Sequence, residues 1–242
     1  VWKNRWHPFV RGIVDAAFDV GFVKIDVTGL PITGFVRAVD VAPGMPVWVE
    51  AQPGEILEET VLRTDGRTSI LDPVSSERLS RRFVLPSREG IAKHGGAVWN
   101  ETVELVWIVL ERSKGSMQVL PGNALSSILA QALSRREIQR SSLDVRTIDL
   151  HHAVFEDPKT TLPSQGMWVR SVGANGPATK FLKEVDVIER IERDAFDGTV
   201  DIGERLLDYR PGSTVIVAGT RDGKPFEVSI KLGTTSTSEI LK

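Results

Sequence analysis

The sequence predicts a mostly β protein built as two units in succession, and three observations carry that expectation. Short apolar runs alternate with Pro- and Gly-rich breaks over residues 1–62, the pattern of a sandwich or barrel rather than a parallel sheet. At 242 residues the chain exceeds one typical domain, and two compact units are the natural expectation. An amphipathic helical pattern from 124 to about 138 divides it, with apolar residues spaced for one helix face.

Composition narrows the function classes. Hydrophobic residues at 41% are enough for real cores. A formal net charge of −2 argues against nucleic-acid binding through bulk positive charge. The absence of cysteine excludes disulfides, cysteine catalysis and cysteine-ligated zinc, and leaves the compartment open. No apolar run reaches the ~18–20 residues of a membrane-spanning helix. The chain begins at Val1 without methionine or a basic-then-apolar leader, which reads as a fragment or a processed product. Nothing in the sequence calls for a cofactor.

Taken in order, Val20–Val27 is a short strand in which Phe22 and Val23 are available to a core. Gly29 to Gly34 is a loop signal, and Val47-Trp48-Val49 is a strand closed by Gln52-Pro53-Gly54. Asp65-Gly66 marks a turn, and Ser75–Arg82 is hydroxyl-rich and charged, of surface type. Ile91–Asn100 reads I-A-K-H-G-G-A-V-W-N, a paired glycine opening onto a buried strand. That strand, Leu105–Leu110, is apolar on both faces and therefore central. Asn123 is a suitable N-cap for the dividing helix, whose Leu125, Ile128, Leu129, Ala132 and Leu133 face inward. In the second unit, Thr199 caps a short helix over 200–209 with Ile202 and Leu206 inward, and Arg210-Pro211-Gly212 stops it. Arg221-Asp222-Gly223-Lys224 is a hairpin turn between Val215–Val217 and Phe226–Ile230. Gly233–Ser238 is flexible by composition.

Several of these landmarks resemble the HtrA/Deg family, trypsin-fold serine proteases that carry PDZ domains. The Lys93-His94-Gly95-Gly96-Ala97-Val98 stretch resembles its G-N-S-G-G-A-L nucleophile loop. Phe18–Ile25 resembles the strand whose aspartate orients the catalytic histidine, and Val41–Ala51 a following segment. Leu120-Pro121-Gly122-Asn123 is similar to the family's lead into the closing helix. Gly166–Val172, Asn175-Gly176-Pro177-Ala178 and Val185–Ile188 resemble successive PDZ motifs. The matches run in the family's order over about residues 11 to 233. The fold class this implies is mostly β: a trypsin-like β-barrel unit over 1–140, its first barrel largely missing, then an α+β PDZ domain over 141–233 and a flexible tail over 234–242. It also implies an exported or periplasmic setting, a protein or peptide partner at the PDZ domain, and assembly into homo-oligomers or larger complexes.

The resemblance places Asp19 as a vestigial triad aspartate and His94 at the nucleophile position, where an imidazole has no hydroxyl to attack a carbonyl. The family's histidine has no counterpart, because His7 lies only twelve residues before Asp19 and is followed by Pro8. Ala92, Lys93, Gly95 and Gly96 are the vestige of the oxyanion loop, with Ala92 where a glycine belongs. The expectation is a catalytically inactive pseudoprotease that serves as a scaffold, regulator or assembly subunit. Three other readings stay open: a plain surface hairpin at Gly95-Gly96, an active protease using Ser87 or Ser113, and a degenerate module of a larger protease. Neither serine is followed by Gly-Gly.

His151 and His152 are adjacent near a strand end, so they project to opposite faces and cannot chelate one metal together. In the second unit the resemblance places Ser142, Leu143, Asp144 and Val145 at the loop that receives a peptide carboxylate. Asp144 stands where the family has glycine. Its charge would repel a carboxylate, and a regular strand would turn Arg146 to the other face. The expectation is weak or absent binding of C-terminal peptides, with internal segments or an edge strand as the remaining ligands, or a groove that is closed.

Overall fold

The computed structural model describes residues 6–16, 18, 20–29, 33–37, 40–52, 55–64, 73–79, 85, 95–113, 116–134, 137–151, 153, 162–236 and 238–241. In chain order the strands are β1 (Phe9–Asp15), β2 (Val20–Ile25), β3 (Pro46–Gln52), β4 (Glu55–Thr60), β5 (Val74–Ser75), β6 (Ala97–Trp99), β7 (Leu105–Ser113) and β8 (Ser116–Pro121). Helix α1 (Gly122–Ser134) leads to β9 (Gln139–Ser142), β10 (Val145–Asp149), β11 (Met167–Val172), β12 (Val187–Ile191) and β13 (Asp194–Ala195). Helix α2 (Ile202–Leu206), β14 (Thr214–Arg221), β15 (Lys224–Lys231), β16 (Gly233–Ser236) and β17 (Ser238–Leu241) complete the chain. The protein is mostly β, as its turn-punctuated sequence predicts.

Two compact units divide the chain. The first is Val1–Gly66, Arg82–Ile138 and Ser236–Lys242; the second is Arg67–Arg81 and Gln139–Thr235. The sequence places the boundary after the dividing helix but does not anticipate the exchange of segments across it.

In the first unit, one sheet has the order β4-β3-β6-β7-β8 and another β17-β1-β2. Strand β3 shows why these residues form sheet: Val47 and Val49 are fully buried while Trp48 and Glu50 alternate with them. Strand β7 lies between β6 and β8, and Val106, Trp107 and Val109 are all buried, which is the two-sided burial expected of an interior strand. Among the described residues no ladder joins β4 to β8. The sheet is therefore open, where the sequence reading expected a barrel. Helix α1 begins one residue before Asn123, so that asparagine sits in its first turn instead of capping it. Gly122 is required there: a Cβ would stand 2.5 Å from the Leu105 carbonyl oxygen and 2.9 Å from that of Val36. Leu125, Ile128 and Ala132 are buried, but Leu133 is 66% exposed, beside the buried stripe of the helix. Val23, on the edge strand β2, is likewise exposed.

In the second unit the path is β15-β14-β12-β11-β10-β5, with β13 on β12 and β16 on β9. Its core joins Leu143, Val145, Val169, Ile188, Val217 and Ile230 with Ile202 and Leu206 of α2. The Asp222-Gly223 turn takes positive φ at both residues (49° and 73°), the two-residue hairpin its sequence predicts. The cap of α2 is Asp201, not Thr199. Its side chain accepts from the Glu204 N–H at 2.7 Å, and Glu204 reaches back to the Asp201 N–H. The tail expected to be flexible instead supplies two strands, β16 on β9 and β17 on β1.

Candidate functional site

Two places bear on function, one in each unit. In the first, Gly95 takes φ 85°, its N–H donates to the Val109 carbonyl at 2.7 Å, and the Gly96 carbonyl accepts from the Val109 N–H at 2.9 Å. The glycine pair is therefore the hinge by which the loop enters β6, and its left-handed φ explains the glycine. Asp19, Ala92, Lys93 and His94 lie outside the described residues, as do Ser87 and His152. Ser113 ends β7. His151 lies in the turn after β10, and among the described residues no cluster of three or more metal-ligating side chains exists.

The second place is the edge of β10 that faces away from β11, and the loop before it. Ser142 closes β9, Leu143 is buried in the core, and Asp144 turns the chain with φ 57°, a conformation Asp tolerates better than most residues. Leu143 and Asp144 are held from behind: their carbonyls accept from Ala178 N–H at 3.3 Å and Gly173 N–H at 2.8 Å. The Asp144 side chain packs against Gly173 and Gly176, where a Cβ on either glycine would overlap it. The carboxylate of Asp144 thus faces that turn, and its N–H faces the groove.

That edge of β10 is taken. Strand β5 pairs with it antiparallel, Ser75 opposite Arg146 and Val74 opposite Thr147. The Ser76 N–H donates to the Val145 carbonyl at 2.9 Å, and the Val145 N–H donates to Ser76 Oγ at 3.2 Å. Ser76 is only 1% exposed, so the segment is inserted and not merely laid across. Arg146, expected on the opposite face, donates from Nη2 to the Pro73 carbonyl at 3.0 Å; β10 is irregular, its pairing with β11 slipping between Arg146 and Thr147.

Beyond Ser76 comes Glu77, whose carboxylate sits in the loop where the sequence reading expected an incoming carboxylate to be repelled. Oε1 accepts from Asp144 N–H at 2.8 Å, Ser142 Oγ at 2.8 Å and Ser76 Oγ at 2.6 Å; Oε2 accepts from Ser75 Oγ at 2.5 Å. Burial pushes the Glu77 carboxyl up, but the bonds from Ser75, Ser76, Asp144 and Ser142 outweigh it and hold the group below its ordinary value. The Asp144 charge does not prevent this, because the loop presents its backbone N–H and turns its side chain away. Glu77, Ser142, Asp144 and Lys231 line a groove of 530 Å³ that continues towards Gly233 and Thr234. Sequence reasoning missed Ser75, Ser76 and Glu77; the one signal was Val74-Ser75 behind Pro73, too short to read as a strand.

No family model matches the chain. Among curated proteins it is similar to the serine protease Do-like HtrA of Lactococcus lactis subsp. cremoris, 30% identical over 161 residues, or 60% of this chain and 39% of the relative. The periplasmic pH-dependent serine endoprotease DegQ of Escherichia coli is 25% identical over 151 residues, 60% of this chain and 33% of the relative. The chain thus spans little more than a third of the length of these relatives. The solved structure of the HtrA-type protease AlgW with a decapeptide aligns with a TM-score of 0.59 at 18% identity, over 91% of this chain and 70% of that one. AlgW with a tripeptide aligns at 0.57 over 91% and 75%, also at 18% identity. At that identity the likeness speaks for the fold alone, a trypsin-type arrangement. The curated relatives and the collinear motifs together show that this chain is similar to the HtrA/Deg proteases over about 60% of its length.

Proposed function

We propose that this chain is a non-hydrolytic HtrA/Deg module, a pseudoprotease that acts as a scaffold or regulatory subunit by holding protein segments on a PDZ-type groove in its second unit. The observation that carries the proposal is His94, which stands immediately before Gly95-Gly96 where the family has its nucleophilic serine. An imidazole at that place has no hydroxyl to form an acyl-enzyme, and any remaining oxyanion stabilisation gives only a small residue of activity. The groove reading is supported by β10, whose edge accepts an added strand and whose preceding loop accepts a carboxylate. The AlgW neighbours that share the fold are solved with peptides.

A fluorophosphonate probe tests the absence of hydrolytic chemistry. The expected result is no covalent labelling of the folded chain. Labelling that disappears in Ser87→Ala or Ser113→Ala would instead identify an active serine protease, the activity named for its sequence relatives.

A further inference from the structure

We propose that residues 74–77 are an intramolecular ligand of the β10 groove, and that the groove is built for an internal, glutamate-bearing segment and not for a free chain end. This rests on the peptide-groove reading above and adds what fills the groove and which ligands it selects. Strand β5 has two residues, too few to persist as a strand by themselves. It is held by side-chain anchors on either side. Arg146 grips the Pro73 carbonyl, and the Asp144 N–H and Ser142 Oγ donate to Glu77 and fix the other end, while Ser75 and Ser76 of the segment itself orient that carboxylate.

The carboxylate arrives on a side chain, and the main chain goes on past it. Arg78 N–H donates to the Ser75 carbonyl at 3.1 Å and Glu77 N–H to Ser75 Oγ at 3.2 Å, so the backbone turns out of the groove at Glu77. A terminal carboxylate is therefore not needed to satisfy the Ser142–Asp144 loop. Helix α2 is shaped to the departing chain. Gly203 lies buried within α2, and a Cβ there would overlap the Arg78 carbonyl oxygen. Glycine is a poorer helix former than alanine, and here the missing methyl group is the space the segment occupies.

An outside peptide must displace this segment, so its apparent affinity falls by the fraction of molecules in which the groove is open. The test uses the full chain and a fluorescent, C-terminally amidated peptide of residues 72–77, with fluorescence anisotropy as the readout. Glu77→Ala removes the anchor of the resident segment. Gly203→Ala pushes out the Arg78 carbonyl, which the peptide lacks, and raises helix propensity, so it carries the test should the first variant fail to fold. Both variants are expected to bind the peptide about tenfold or more tightly than the native chain. A peptide with glutamine in place of its glutamate should lose that gain. Equal binding by the native chain and both variants would overturn the intramolecular ligand and leave the peptide groove standing. No binding by any of the three, of the amidated peptide or its free-acid form, would overturn both.

Discussion

The Glu77 carboxylate accepts the backbone N–H of Asp144 at 2.8 Å, across 67 positions of sequence. Both partners have unusual surroundings that make sense only together. Asp144 is held at positive φ, which aims its N–H into the groove. Glu77 is partly removed from water and satisfied by three serine hydroxyls besides that amide. An ionised carboxylate bonded in this way gains more from each contact than a neutral acceptor would.

The first prediction concerns pH. Glu77 has a folded value below its ordinary 4.5, so its contribution to stability is full above that value and is lost as pH falls through the folded one. Asp144 and Lys231 line the same groove, and Arg78 and Arg146 adjoin the segment. Denaturant unfolding followed from about pH 6 to about pH 3 should show a steeper loss of stability for the native chain than for Glu77→Gln. Parallel curves would show that Glu77 is not bonded in its charged form.

A second prediction separates the backbone of Asp144 from its side chain. Asp144→Gly keeps the donor and suits φ 57°, so thermal unfolding should register a change below about 1 kcal/mol. Asp144→Val places a β-branched residue in left-handed backbone and should cost about 1–2 kcal/mol. A glycine variant as unstable as the valine variant would mean that the side chain, not the N–H, matters there.

The third prediction comes from Asp186, which has no exposed side-chain surface. It accepts Arg221 Nε at 2.7 Å and Nη2 at 2.7 Å, together with the Lys183 N–H at 2.8 Å. Arg221 is 27% exposed and can turn to water if Asp186 is removed, whereas Asp186 without Arg221 is a stranded buried charge. Arg221→Ala should therefore cost about 3 kcal/mol and Asp186→Ala about 2 kcal/mol. Urea unfolding of both single variants and the double variant gives the coupling, and the reverse order would refute this account.

A fourth prediction addresses the first unit. Gly122→Ala drives a methyl group into the carbonyl oxygens of Leu105 and Val36, which are backbone atoms that cannot swing aside. The expected loss is about 1–3 kcal/mol, measured by chemical denaturation, although alanine is the better helix former. A neutral or stabilising outcome would show that the start of α1 is free to shift.

Local patterns in the sequence were readable wherever local chemistry decides the outcome. The Asp222-Gly223 turn needs two residues at positive φ, and its neighbours alternate as a hairpin requires. Strand β7 reads as apolar on both faces, and Val106 and Trp107, which point to opposite faces, are both buried. The cap of α2 is also a local matter: Thr199 and Asp201 can each cap a helix, but only Asp201 has a glutamate three residues on, so the reciprocal pair with Glu204 is legible in the sequence. Leu133 fits the helical period but lies past the edge of the buried stripe.

By itself the sequence determined the mostly β character, the ordered family motifs and the absence of a serine before Gly95-Gly96, because each is a matter of residue identity or short-range periodicity. Tertiary structure alone decided that Val74–Glu77 crosses into the second unit and fills the edge of β10. A two-residue strand has no periodicity to read, and the hydrogen bonds that make it a strand belong to residues some seventy positions away.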